Sequence, residues 1–358
     1  MRVARGLIAF LAIGFAPIGW RASAAQPLLP LSLDAGAAPM EIGMDLSRPI
    51  AMAMTANGGF YVADMGNPSV SRHERNGTLR WSVRASGRGP GDIQQPYRIA
   101  ATADDGVLVY DLGLRDFSQF SPSGRFVRRF MMDVSFQILD QLSILGDGRL
   151  VVVGYTRDSR VGDRAIHIFS ADGRWVRSFG PLPEAHDPSK LRYLGAGLLD
   201  VRPNGLLLFT RKGPYEILEL DTTGTIVRRL QAPRSIGAIA DSAVEISTNA
   251  AGSERISSRS RAMSVPLRTI ALGNYGYLSS YAEKGTTTVA EHATNGTMFG
   301  QPRATRISLA AYDSVHCRLL AFQERDDEPR LVEIPLNRRP ADGSPRDPKQ
   351  EVIKCGLR

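Results

Sequence analysis

Residues 142–179 read LSILGDGRLVVVGYTRDSRVGDRAIHIFSADGRWVRSF, and their grammar decides the fold. An apolar strand enters Asp147-Gly148, and a second strand leaves it through residues 150–154. A charged loop leads into the strand at 165–169, and Asp172-Gly173 turns that strand into a fourth. Glycine suits such tight hairpin turns because positive φ is penalised by a β-carbon.

The same order recurs outward from this stretch. The first turns are Asn57-Gly58, Asp105-Gly106, Asp147-Gly148 and Asn204-Gly205, spaced 48, 42 and 57 residues apart. The second turns are Asn76-Gly77, Ser123-Gly124, Asp172-Gly173 and Thr223-Gly224, spaced 47, 49 and 51. A period in the forties with four strands per unit is the signature of propeller blades. One such unit exposes apolar faces that only a neighbouring unit can cover. With 35 Gly, 22 Pro and 43% hydrophobic residues, the composition suits many short strands around a real core.

The segment Tyr61-Val62-Ala63-Asp64-Met65-Gly66-Asn67 resembles the YVADTGN segment of NHL repeats. Gly87-Arg88-Gly89-Pro90-Gly91-Asp92, followed by Pro96 and Ile99-Ala100, resembles the blade-linking segment of bacterial NHL-like six-bladed propellers. The resemblance covers roughly residues 40–335. It implies an all-β, six-bladed β-propeller of four-stranded blades. It is specific for fold and weak for function, because such propellers include scaffolds, binding proteins and enzymes.

A fifth unit reads LRTIAL, GYLSSY, TTTVAEH and a strand after Asn295-Gly296. A sixth supplies only TRISLAAY, CRLLAF and RLVEIPL, so closing the ring requires a fourth strand from residues 39–44. Seven blades are the alternative if residues 236–247 form a degenerate unit. Residues 232–264 and 337–350 fall outside the repeat.

The first residues read as a secretory signal. Arg2 and Arg5 precede an apolar run over 7–19, and Ala22-Ser23-Ala24 supplies a cleavage pattern. An uncleaved anchor is the alternative. The expected organisation is a signal over 1–25, a propeller over 26–336 and a C-terminal tail over 337–358. The expected location is periplasmic or secreted, with no transmembrane span after signal removal. In that compartment Cys317 and Cys355 are expected to form a disulfide tying down the tail. Losing Arg2, Arg5 and Arg21 lowers the formal net charge from +8 to +5. The basic residues are scattered through loops, which argues against nucleic acid as a partner.

In a four-stranded blade the glycine turns line one face, and the loops between second and third strands line the other with the blade links. That second face carries Asp64, Asn67, Arg88, Asp111, Arg115, Arg157, Arg160, Arg211 and Lys212. Arginine grips carboxylates and phosphates with a planar fork, so a partner protein, peptide or anionic ligand is expected there. Solvated loop charges balanced by Asp64, Asp111, Asp158 and Asp163 are the competing explanation.

No catalytic set is evident, and no GxSxG or phosphate-binding loop occurs. The expectation is a non-enzymatic binder without a cofactor. The enzymatic alternative is a lactonase-like or amidating-lyase-like hydrolase or lyase with one divalent metal in the channel mouth. For that reading Asp64, Asn67 and Asp111 are the candidate ligands, although Asp and Asn also make Asx turns at strand ends. His73 occupies the position of Phe120, Phe169 and Leu220 in other units, and so reads as packing.

Overall fold

The computed structural model describes residues 37–43, 45–84, 87–182, 195–212, 215–230, 244–248, 254–258, 265–273, 276–283, 286–325 and 328–336. The expected signal over 1–25, residues 184–193 and the expected tail with Cys355 lie outside them. All regular structure among the described residues is β. Six four-stranded antiparallel sheets are accompanied by one two-stranded hairpin. The sheets are the six blades of a β-propeller. The innermost strands are Pro49–Met54, Pro96–Ala101, Ile138–Ile144, Leu198–Val201, Val265–Leu272 and Ile307–Asp313, in blades 1 to 6. The alternative seventh unit at 236–247 lies largely outside the described residues; its described end belongs to the two-stranded hairpin Val244–Thr248 with Glu254–Ser258.

Burial follows position within a blade. The second strands Phe60–Asp64 and Val107–Asp111 are buried at every residue, so they read as unbroken apolar runs. The outermost strand Ile226–Leu230 is exposed at four of five positions. The described residues form six apolar clusters, each spanning two adjacent blades. Tyr61, Ala63 and Val70 of blade 1 meet Val107, Val109 and Phe120 of blade 2. Met52, Phe60 and Val62 meet Ala310, Leu320 and Leu331 across the closing seam. This blade-to-blade burial is what holds the ring together.

The sixth blade is completed from the N-terminal side, as the missing strand requires. Ala38 and Pro39 pair with Glu333 and Val332 of the outer strand Glu328–Pro335. The Met40 amide adds one hydrogen bond to the Leu331 carbonyl at 2.9 Å. Pairing therefore begins one residue earlier than expected and stops at Met40, after which Met40 and Ile42 pack against the seam.

The turn reading needs one correction. In blade 2 the positive φ falls on Asp105 (61°), whereas blade 1 places it on Gly58 (83°). Asp104-Asp105 thus stands where blade 1 has Asn57-Gly58, and aspartate tolerates this conformation better than most residues. The second turns hold as read. At Gly77 (φ 93°) an added Cβ would lie 2.2 Å from the Glu41 carbonyl oxygen, so both backbone and space demand glycine.

Candidate functional site at the channel mouth

The innermost strands surround a cavity of about 600 Å³, within the range of small-molecule sites. Five of the six carry a β-bulge near their first residues, at Pro49/Ala51, Pro96/Arg98, Leu139/Gln141, Pro266/Arg268 and Leu309/Ala311. Bulges re-aim side chains and gather beside functional sites. Here they lie toward the face bearing the blade links. Arg98 and Arg268 are each the first paired residue after a bulge that follows proline. Asp140 is itself the bulged residue of blade 3.

Arg98, Asp140, Asp200, Lys212 and Arg268 line the cavity together. Each reaches to the next blade or to a charge beside it. Arg98 Nε donates to the Asp140 carbonyl, and its guanidinium stacks on Tyr97 at 3.8 Å. The Asp140 carboxylate accepts the Ala196 amide. Asp200 accepts the Ala271 amide at 2.7 Å and that of Val201 at 2.9 Å. Arg268 Nη2 donates to the Ala310 carbonyl at 3.2 Å. Arg268 Nε, in contrast, has no hydrogen-bond partner among the described residues.

The electrostatics match this crowding. Burial raises the Asp200 carboxyl, opposed by the Ala271 amide and by Arg268 and Arg202. Burial lowers the Lys212 ammonium; the Asp140 charge favours the cation, and Arg98 disfavours it. Burial also lowers Arg268, with Asp200 supporting the charge and Arg98 opposing it. A guanidinium nonetheless stays protonated in proteins. Arg98 thus acts on both other cations, which puts the group within mutual electrostatic reach.

Asp64 and Asp111 are not in this group. Both are buried, and backbone amides occupy their carboxylates. Asp64 Oδ1 accepts from Arg48, Gly66 and Asn67, and Oδ2 accepts from Ser47. Asp111 accepts from Gln94 at 2.6 Å and from Leu114 at 3.0 Å. Each fastens a blade link to a loop between strands, as the Asx-turn explanation requires, and neither carboxylate can meet a ligand. Asn67 is half-buried beside Asp64. Replacing Asp111 by Asn sets an N–H against one of these amides. It is expected to destabilise the fold by about 1–3 kcal/mol, as urea melts will check.

Arg88, Arg115, Arg157 and Arg160 are exposed. Arg160 is paired with Asp158 at 2.6 Å, and Arg211 with Glu216 at 2.9 Å. Asp158 is one of the acids the balancing explanation names; Glu216 is not. Cys317 is buried, and its expected partner Cys355 lies outside the described residues.

The buried histidines among the described residues are framework. His73 stacks on Phe60 with centroids 5.2 Å apart, and His292 on Tyr277 at 4.5 Å. His73 donates from Nδ1 to the Gly77 carbonyl and accepts the Ser71 hydroxyl at Nε2. Among the described residues no three His, Cys, Asp or Glu side chains come together as a metal site would need.

No protein-family model and no curated protein matches the sequence. Solved structures do. An inferred exported protein of Bacteroides fragilis aligns over 87% of this chain and 96% of its own, with TM-score 0.60 and 10% identity. A gluconolactonase of Xanthomonas campestris aligns over 87% and 95%, with TM-score 0.54 and 14% identity. Virginiamycin B lyase of Staphylococcus aureus aligns over 83% and 98%, with TM-score 0.51 and 10% identity. At such identities the likeness establishes the six-bladed propeller and leaves the chemistry to each protein's own site.

Proposed function

We propose that this chain is an exported, non-enzymatic propeller that binds an anionic ligand at the mouth of its channel. The observation that carries the reading is Arg268, a guanidinium lining the cavity with Nε unpartnered, with Arg98 in electrostatic reach and Lys212 on the same lining. A guanidinium in a cavity lining can grip a carboxylate or phosphate with its planar fork. Export rests on the N-terminal signal pattern at residues 1–25.

Two structural neighbours are a lactonase and a lyase, and a propeller channel can hold a divalent metal. These side chains fit such an ion poorly. The two mouth carboxylates already accept backbone amides, and three cations surround them, which repels a further positive charge. We therefore keep the binding role.

Capture from envelope extract tests it. Purified protein is incubated with the extract and washed, and retained compounds are released by denaturation and weighed by mass spectrometry. The wild type is expected to retain an anion that the Arg98→Gln/Arg268→Gln variant does not. A retained compound that both proteins hold equally removes the mouth from the account, and conversion to a product of new mass replaces the binder with an enzyme.

A further inference from the structure

The mouth is charged on one side only. Arg98 and Arg268 hold matching positions in blades 2 and 5, which are opposite members of a six-blade ring. The arc between them through blades 3 and 4 carries Asp140 and Lys212 at the same end, with Asp200 deeper in the channel, toward the Asn204-Gly205 turn. The arc through blades 6 and 1 adds no charged residue to the lining: Ala51 stands level with the arginines in blade 1, and blade 6 contributes Ser308, Ala310 and Ala311. Ile50 and Leu309 lie next to them in the cavity lining. The repeat therefore places arginine in blades 2 and 5 where blade 1 has alanine, which leaves room on the uncharged side.

The charges also count. Three cations face two carboxylates, an excess of one positive charge. The carboxylates are fixed by amides of the following strands, so they cannot swing away to admit a second anion. Arg268 Nε carries no hydrogen bond among the described residues.

We propose that the mouth takes a singly charged anion with an apolar body, its acid group held between Arg98 and Arg268 and its body against the uncharged, mainly apolar arc of blades 1 and 6. This rests on the anion-binding reading above and names the chemical class of its ligand. A dianion is disfavoured because its second charge must lie in the apolar arc or beside Asp140 and Asp200. A neutral molecule of the same shape leaves Arg268 Nε unpaired.

Calorimetric titration of the mature protein with acetate, hexanoate, hexan-1-ol and succinate at equal ionic strength tests the class. Affinity is expected to rise about fourfold for each methylene from acetate to hexanoate. Hexan-1-ol and succinate are expected to bind about tenfold or more weakly than hexanoate. Arg268→Gln should lose a similar factor for hexanoate, with Arg268→Lys retaining part of it. Arg98→Gln serves as the second variant if the first fails to fold. Acetate matching hexanoate, or succinate exceeding it, overturns this inference and leaves anion binding intact. Hexan-1-ol matching hexanoate, or no anion binding at all, overturns both.

Discussion

Lowering the pH from 6.5 to about 4 is expected to strip several kcal/mol from the folded protein. His167 and His292 are buried, and burial pulls each down from 6.5 to about 4. His73 is shifted the same way by the same cause. Each ring is held neutral by one donated and one accepted hydrogen bond. His167 donates from Nε2 to the Gly154 carbonyl and accepts the Ser178 hydroxyl at Nδ1. His292 donates from Nδ1 to the Gly296 carbonyl and accepts the Ser279 hydroxyl at Nε2. Between the two pKa values the unfolded chain binds protons that the folded chain refuses, so stability is complete above 6.5 and falls as pH drops. A depression of this size amounts to about 3 kcal/mol per histidine. Asp116 and Asp200, raised by burial, offset part of the loss at the acid end. Urea melts at pH 7 and pH 4.5 measure it. Equal midpoints would mean that these rings accept protons in the folded state.

Replacing Arg318 by Met is expected to cost about 3–5 kcal/mol, the range for breaking a buried ion pair from one side. Arg318 is 2% exposed and sits where the last blade meets the first. Within blade 6 it binds Asp313 at 2.8 Å and Glu333 at 2.6 Å. Across the seam it donates to the carbonyls of Arg75 at 3.0 Å and Gly58 at 3.1 Å. The substitution strands a buried carboxylate and two blade-1 carbonyls at once. Adding Asp313→Asn should restore part of the loss, because it removes the stranded charge while keeping an acceptor. Denaturant midpoints of both variants read this directly. A single variant as stable as the wild type would show that the seam closes on apolar packing alone.

The fold was legible because its information is local and repeated. Turn glycines, strand lengths and blade period are written into each unit, and even the missing strand could be traced to the N-terminal segment. The turn at Asp104-Asp105 was harder to place, since aspartate replaces the glycine that marks its counterparts. The site was less legible for a physical reason: its residues belong to four different blades and come together only when the ring closes. Asp64 and Asp111 drew attention because acids at strand ends look like ligands, yet those ends need acceptors for backbone amides. The useful signal was a charge inside an apolar first strand. Pro96-Tyr97-Arg98 and Pro266-Leu267-Arg268 repeat one another in opposite blades, where blade 1 has Pro49-Ile50-Ala51. Aligning inner strands, rather than loops, would have found both arginines.

The central claim is that the channel mouth, and not the ring of exposed loop arginines, holds the anion. Extract capture repeated with a loop triple variant, Arg88→Gln/Arg115→Gln/Arg157→Gln, beside Arg98→Gln/Arg268→Gln tests it most directly. The loop variant is expected to retain the anion at wild-type level and the mouth variant to lose it. Loss in the loop variant with full retention in the mouth variant would contradict the account.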